Sequence, residues 1–470
     1  MLIRHGAMYF LARGGAGVVA FLSIYIYTRL LDPDEYGLYA MLLSAMSIVY
    51  AIFFHWLSTG LGRFYPAYEA QREILLSTVI VALLAMVALI AGISILVRVF
   101  ITDHVIANWV AIVAALACSL AWFELNLRLA NAGLKPLSYG LLSLSKAVFS
   151  LGLGVALYRV AGIYGVLAGV FLSALLVPLF FSTKGWSGIR LNKFDPALLR
   201  RFLGYGMPLA LTMLLTLVID MSDRFLVAIY LGAEASGLYS AAYDLVQQAI
   251  GVPVAVVYLA AFPLVVRDME QAAPTAHQRI ESHALLLILV ALPFSVLFLS
   301  MPGNTAEVLL GEQYRRMAEQ IMPLIAIAIL LGCLKLYFFD LGFQLGHDTL
   351  GQVWPTMVAA LSNVVLNVLW IPVYGLQGAA YATIAAFAIG LVMSAVMVRR
   401  VCAMPMPLLD VVKVVAAGLI MAGVLAAFSD WRGLGAWLMQ LSMGTLAYGA
   451  ALIGLDVERL RPRLAQIFSR

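Results

Sequence analysis

Several charged side chains fall inside stretches that are otherwise apolar, and an ionisable group in hydrocarbon is held there by a partner, by water or by a ligand. Three of them are bases with no acid at helical spacing. Arg13 has Tyr9, Phe10, Ala16 and Gly17 three and four positions away, Lys146 has Leu142, Ser143, Phe149 and Ser150, and Lys335 has Leu331, Gly332, Phe338 and Phe339. Such bases suit an anionic ligand: a guanidinium grips phosphate oxygens bidentately and an ammonium acts as a point charge. Arg224 has Asp220 four positions before it and Asp223 beside it, Glu124 has Arg128 four positions on, and Asp410 has Lys413 three positions on. These pairs can neutralise each other on one helix face. Asp244 and Asp340 have no base at that spacing. The candidate contacts to an anionic head are therefore Arg13, Lys146, Lys335 and Arg224, and the candidates for ion coupling are Asp244, Asp340, Glu124 and Asp220. Trp122 and Tyr243 are aromatic candidates for stacking on a sugar, packing being the commoner use of such residues.

Other chemistries lack their residues. Cys118, Cys333 and Cys402 are scattered and odd in number, and the six histidines form no His-x-x-x-His pair, so no metal site or disulfide framework is expected. No G-x-x-x-x-G-K-[ST] loop is present to hydrolyse nucleotide. The expectation is a transporter with no catalytic residues and no cofactor, driven by an ion gradient (H+ or Na+), the membrane potential or use of the product. The net charge of +5 fits membrane anchoring rather than nucleic-acid binding.

The elements that position these groups are membrane spans. Hydrophobic residues make up 64% of the chain and charged residues 11%, against about 25% charged in soluble domains. Fourteen helices are read near 7–31, 36–60, 75–100, 105–130, 137–160, 163–183, 202–231, 236–262, 284–302, 317–345, 351–372, 376–398, 408–428 and 434–455, each near the roughly 17–25 residues that cross a bilayer. The first is too long for a cleaved leader and is read as a retained span. With both termini in the cytoplasm, most basic residues of the connections fall inside, including Lys184, Arg190, Lys193, Arg200 and Arg201 in one connection and Arg459, Arg461, Arg463 and Arg470 in the tail. Arg29, Arg98, Arg159, Arg315, Arg316 and Arg432 fall outside, and the adjacent pair Arg315–Arg316 fits least well. Outer connections are short, the longest around 303–316.

The chain also repeats itself. Leu31, Gly37, Leu38 and Tyr39 recur as Leu231, Gly237, Leu238 and Tyr239, while the acidic turn Asp32-Pro33-Asp34-Glu35 does not. Gly162-Ile-Tyr-Gly165 before the sixth span matches Gly375-Leu-Gln-Gly378 before the twelfth. Two parallel six-helix repeats follow, as in many transporters. A turn kept without its carboxylates reads as architecture rather than as the acidic cluster of a glycosyltransferase, whose outer loop would be longer. The expected fold is an all-α integral membrane protein of about 14 spans. Two pseudo-symmetric lobes surround a central cavity: 1–184 (helices 1–6) and 202–400 (helices 7–12). Residues 185–201 form a cytoplasmic linker, and 401–470 hold a C-terminal helix pair and basic tail. The pair Gly165/Gly169, with Pro208 and Pro253, suits close-packed, bending helices in rocking lobes.

Tyr27 to Tyr39 (YTRLLDPDEYGLY), Asp223-Arg224-Phe225 with Leu231-Gly232 and Gly237-Leu238-Tyr239-Ser240, and Tyr374-Gly375-Leu376-Gln377-Gly378-Ala379-Ala380 resemble the corresponding helix ends of Wzx-type polysaccharide flippases. These belong to the polysaccharide branch of the multidrug/oligosaccharidyl-lipid/polysaccharide exporter superfamily. The resemblance implies a transporter that flips undecaprenyl-diphosphate-linked oligosaccharide to the outer leaflet of the bacterial inner membrane, for O-antigen or exopolysaccharide assembly. Membrane lipids and polysaccharide polymerase machinery are its implied partners. Many members have twelve spans; the extra pair here is also seen in lipid II flippases. The alternatives are a cation-coupled small-molecule exporter of similar fold and, with less support, a membrane glycan polymerase or ligase.

Overall fold

A chain crossing hydrocarbon must satisfy its backbone hydrogen bonds within each span, which makes a helix of every apolar run. The computed structural model describes the backbone of residues 2–181, 183–271, 274–348 and 350–457, with side chains described outside 1–13 and 183–184. Arg13 and the basic tail therefore lie outside the described side chains. Among the described residues the helices are α1 (Leu2–Leu30), α2 (Pro33–Phe53), α3 (His55–Phe64), α4 (Arg72–Phe100), α5 (His104–Ala132), α6 (Pro136–Ala161), α7 (Ile163–Phe181), α8 (Pro196–Leu231), α9 (Ala233–Glu270), α10 (Ala276–Ser300), α11 (Pro302–Leu309), α12 (Glu312–Leu334), α13 (Asp340–Leu345), α14 (Val353–Tyr374), α15 (Leu376–Val398), α16 (Leu408–Ala426) and α17 (Leu434–Gly454). A π-turn, Lys335–Phe339, joins α12 to α13. Thirteen segments are long and apolar enough to cross a membrane, and Gly14–Leu30 is a shorter apolar one. This is a multi-pass, all-helical membrane protein.

Two details differ from the sequence reading. The second span breaks at Phe54 into α2 and α3, and the Trp56 indole N–H donates to the Phe53 carbonyl beside the break (2.8 Å). The expected outer loop around 303–316 contains α11. Its carbonyl end carries partial negative charge. Arg29 donates to the Val308 and Leu309 carbonyls (2.9 and 3.2 Å), and Arg315 donates to that of Leu310 (3.4 Å). That local duty explains two arginines on the side where few bases were expected.

The helices form two compact units, Met1–Ser23 with Leu38–Met221 and Ile24–Gly37 with Ser222–Arg470. In the first, Trp56, Leu57, Leu61, Leu75, Leu76, Val79, Leu125 and Phe202 form one core. The segment between α7 and α8 is strapped to α4 and α5. Arg72 holds the Gly185 carbonyl, Lys193 pairs with Glu73, the Arg190 amide donates to Ser77 Oγ (3.0 Å), and the Asp195 amide donates to Thr78 Oγ1 (3.1 Å). Trp186 donates to Asn126 Oδ1 (2.7 Å) and stacks on Trp122 with centroids 5.5 Å apart.

In the second unit, residues 24–37 dock on α9, α11 and α12. Tyr314 donates to the Leu31 carbonyl (3.0 Å), and the Gly311 amide donates to Thr28 Oγ1 (3.2 Å). Asn304 on α11 clasps the C-terminal pair: it donates to Gln440 Oε1 (2.6 Å) and accepts from the Gly433 amide (3.0 Å). Asn304→Ala should therefore destabilise the protein by about 2–3 kcal/mol, because two buried partners lose their hydrogen bonds. Thermal unfolding in detergent measures this, and a variant as stable as wild type would show the clasp to be dispensable.

The repeat is visible in the backbone. Gly162 links α6 to α7 at φ 55°, ψ −139°, and Gly375 links α14 to α15 at φ 60°, ψ −139°. Only glycine adopts that conformation freely, and at the second glycines, Gly165 and Gly378, a Cβ would lie 2.2 and 2.3 Å from the Leu157 and Trp370 carbonyl oxygens, so both positions of the Gly-x-x-Gly motif are accounted for.

Candidate functional site

Six of the sequence-selected charges fall in three polar clusters, Lys146 with Glu124 in the first unit and Arg224 with Asp244 and Lys335 with Asp340 in the second, and a fourth cluster in the second unit surrounds Asp223. In the first, Lys146 on α6 lies 5.0 Å from the centre of the Phe123 ring, and Glu124 on α5 acts on it electrostatically. Glu124 and Arg128 form no ion pair within 4.0 Å among the described residues, so their expected mutual neutralisation is corrected. Both side chains act electrostatically on Tyr50 of α2. Trp122 is stacked on Trp186, which occupies one face of the ring expected to meet sugar.

In the second unit the α8–α9 hairpin turns at Gly232, whose φ of 95° permits the reversal. The hairpin brings Asp244 beside Arg224, twenty residues earlier. Arg224 Nη2 lies 2.5 Å from Asp244 Oδ1, and Tyr36 donates to Asp244 Oδ2 (3.1 Å). The sequence reading left Asp244 without a base and gave Arg224 to Asp220; both assignments are corrected. Asp410 and Lys413 do pair, at 3.0 Å. The Arg224 guanidinium also lies 5.8 Å from the centre of the Tyr243 ring, and its buried Nε has no hydrogen-bond partner. The Nε–H of the guanidinium thus remains unused.

Lys335 and Asp340, both expected to be unpaired, bind each other at 2.7 Å. They are five residues apart. In an α-helix that spacing puts them on nearly opposite faces, whereas a π-turn brings them together.

The fourth cluster was missed as a site. Asp223 is fully buried and is satisfied by neutral donors: Asn367 Nδ2 on Oδ1 (2.6 Å), and Tyr239 Oη and Thr383 Oγ1 on Oδ2 (2.7 and 2.6 Å). Asn363 Oδ1 accepts from Ser222 (2.8 Å) and Asn367 (3.1 Å), while Asn367 Oδ1 is buried without a partner. Thr383 has one hydroxyl proton but two acceptors in reach, Asp223 and the Ala379 carbonyl at 2.9 Å. A carboxylate, two amide oxygens and two hydroxyls from four helices are ligands of a hard monovalent cation. The same set can instead hold a proton, which would resolve the competition at Thr383. Among the described residues no group of three or more His, Cys, Asp or Glu is placed to hold a metal ion. The available signal was Asn363 and Asn367, two amides one turn apart on an apolar helix.

A family model described as "Polysaccharide biosynthesis protein" matches residues 26–319. The chain belongs to this family. No curated protein sequence gives a significant match. Among solved structures, this polysaccharide biosynthesis protein is similar to the lipid II flippase MurJ in an inward closed conformation. The TM-score is 0.79 at 14% identity, covering 97% of this chain and 100% of that one. An inward-facing multidrug resistance MATE family transporter gives 0.59 at 14% identity, covering 82% and 95%. A Pyrococcus furiosus transporter of the same superfamily, described as having a binding pocket of reverse polarity, gives 0.56 at 14%, covering 85% and 95%. At these identities the likeness is one of fold.

Proposed function

We propose that this protein flips an undecaprenyl-diphosphate-linked oligosaccharide from the cytoplasmic to the outer leaflet by alternating access. Its setting is the bacterial inner membrane, with both termini cytoplasmic. The observation that carries the reading is membership of a polysaccharide biosynthesis family by a chain whose fold resembles that of a lipid-linked precursor flippase. The intramembrane bases support it. Lys146 is held by a ring and a single nearby acid, and Arg224 keeps an unpartnered Nε; both are sites where a diphosphate can gain charge-assisted hydrogen bonds. Coupling to H+ or Na+ is assigned to Asp223, the buried acid held by neutral donors, ahead of Asp244 and Asp340, whose charges are balanced by bases.

Reconstituted wild type should move a fluorescent undecaprenyl-diphosphate oligosaccharide across proteoliposomes under an imposed ion gradient. Lys146→Ala and Arg13→Ala should each slow it about tenfold or more at matched protein levels, since a charge-assisted hydrogen bond contributes roughly 1.5–3 kcal/mol. The MATE-like fold favours a second reading, a cation-coupled exporter of small molecules. Wild type that ignores the glycan lipid but exports cationic drugs would install that reading instead.

A further inference from the structure

The turn Lys335–Phe339 departs from α-helical hydrogen bonding in the middle of a span, with the Asp340 amide bonded to the Lys335 carbonyl five residues back. Single π-turns inside α-helices are uncommon and concentrate at functional sites. Here the side chains are matched to the register. Lys335 and Asp340 are 3% and 1% exposed, and their 2.7 Å pair exists only because the turn holds five residues where an α-turn holds fewer. Lys335 also donates to Thr356 on α14 (3.1 Å), and Ser394 on α15 donates to Asp340 Oδ1 (2.7 Å). Thr356 gives its own proton to the Gln352 carbonyl (3.0 Å), which leaves its oxygen free to accept from the ammonium. At Gly390 a Cβ would lie 3.0 Å from Lys335 Cε, so α15 is a glycine where the lysine stem passes. From α10, His283 Nε2 reaches the Tyr337 carbonyl inside the turn (3.0 Å).

We infer that the Lys335–Asp340 pair is a proton-operated site that sets the helical register of this span. With Asp340 ionised, the pair holds the π-turn. Proton uptake on Asp340 removes the counter-charge and leaves a buried ammonium with only a hydroxyl partner, a costly state. The register that brings the two side chains together then loses its reason. Reversion to α-helical geometry rotates the residues beyond the turn by about 100° and moves them about 1.5 Å. The helix ends at Gly346 and His347, the latter already at φ 58°, and this non-helical stretch is where the extra residue would be absorbed. Neutralising one carboxylate thus turns the end of one span against its neighbours α15 and α9. The inference deepens the flippase reading by naming a proton as one coupling ion and a helix rotation as its output.

The other titratable groups around the turn are few. Among the described residues they are Tyr337 within the turn, Tyr258 on α9 with its ring 5.1 Å from that of Tyr337, His283 on α10, Cys333 on α12, and His347 and Asp348 just beyond α13. The sides facing α14 and α15 bring the hydroxyls of Thr356 and Ser394, and Arg399 and Arg400 just beyond α15 are exposed. Among the described residues the competitors for a proton in the relevant range are His283, whose buried Nδ1 has no partner, and the exposed His347 just beyond α13.

Hydrogen–deuterium exchange of residues 335–346 in detergent-purified protein tests this without any cargo, so the switch and the flippase reading can fail separately. Wild type should exchange these amides at least about fivefold faster at pH 5.5 than at pH 8 after correction for intrinsic rates. Asp340→Asn should exchange fast at both. The double variant Lys335→Met/Asp340→Leu removes both charges and guards against misfolding of a lone buried lysine. It should fold and also lose the pH dependence, whereas His283→Gln should keep it. Exchange independent of pH in wild type, pH dependence retained in Asp340→Asn or in the double variant, or its loss in His283→Gln would each overturn the inference.

Discussion

Gly237→Leu should cost about 3–5 kcal/mol of stability. A Cβ on Gly237 would lie 1.8 Å from the Pro33 carbonyl oxygen and 2.8 Å from the Gly37 amide nitrogen; one on Gly37 would lie 2.1 Å from the Ala233 oxygen. These are backbone atoms at the starts of α2 and α9, so no side-chain rotation relieves the clash and the helix starts must separate. Overpacking alone costs about 1–3 kcal/mol. Separation also strains the neighbouring contacts of residues 24–37, including Tyr314 to Leu31 and Tyr36 to Asp244, at about 1 kcal/mol each. Gly152→Ala is the control: a Cβ added there would meet nothing within 4 Å, and removing a glycine from a helix interior should stabilise by roughly 0.5–1 kcal/mol. Thermal unfolding of the two variants in detergent should move in opposite directions. Equal stability of Gly237→Leu and wild type would mean that the two helix starts do not need this approach.

The same contact explains the partial repeat in the sequence. The glycines recur because they face each other across two helix starts. The carboxylates need not recur, because Asp32 serves as an N-cap: the Glu35 amide donates to its Oδ1 (2.9 Å). At the equivalent place in the second copy stands Gly232 at φ 95°, which begins α9 without a side-chain cap. The retained motif was legible; its reason was not, since the facing of residues 200 positions apart is a tertiary fact.

The spans were legible for a simple reason: hydrocarbon leaves the backbone one local solution, and the apolar runs announce it. Ion pairing was not. A search at three and four residues presumes an unbroken α-helix and neglects other helices. It missed Lys335–Asp340 because the register is π, and Arg224–Asp244 because the hairpin brings together side chains twenty residues apart. It grouped Asp223 with the Asp220–Arg224 pair and so left it out of the candidate set. Adjacent residues point about 100° apart on a helix, and Arg224 turns to Asp244 while Asp223 turns to Tyr239, Asn367 and Thr383.

That division of labour on α8 makes Asp223→Asn the sharper functional test. The substitution is nearly isosteric and can be satisfied where it stands. Its oxygen accepts from Asn367 as Oδ1 does now. Its nitrogen takes the place of Oδ2 and donates to the Tyr239 and Thr383 oxygens, with Thr383 giving its proton to the Ala379 carbonyl. The Tyr239 hydroxyl alone loses the acceptor for its proton, so folding should survive at a cost of about 1–3 kcal/mol. Asp223→Ala should not match it, because Tyr239 and Asn367 both lose an acceptor at about 1–3 kcal/mol each and the space of the carboxylate is left empty, Thr383 alone keeping the Ala379 carbonyl. Function should not survive in either. An asparagine fixes the cluster in its neutral form, unable to release a proton or to neutralise a cation, and transport should fall about 100-fold, equivalent to roughly 2.7 kcal/mol. The ion follows from wild-type stability, since whatever binds the folded state alone stabilises it by mass action. A melting temperature that rises with Na+ but not with K+, in wild type and not in Asp223→Asn, identifies a cation site. A rise on acidification that the variant lacks identifies a proton. Wild-type transport rates in Asp223→Asn would remove this carboxylate from coupling and return the role to Asp340.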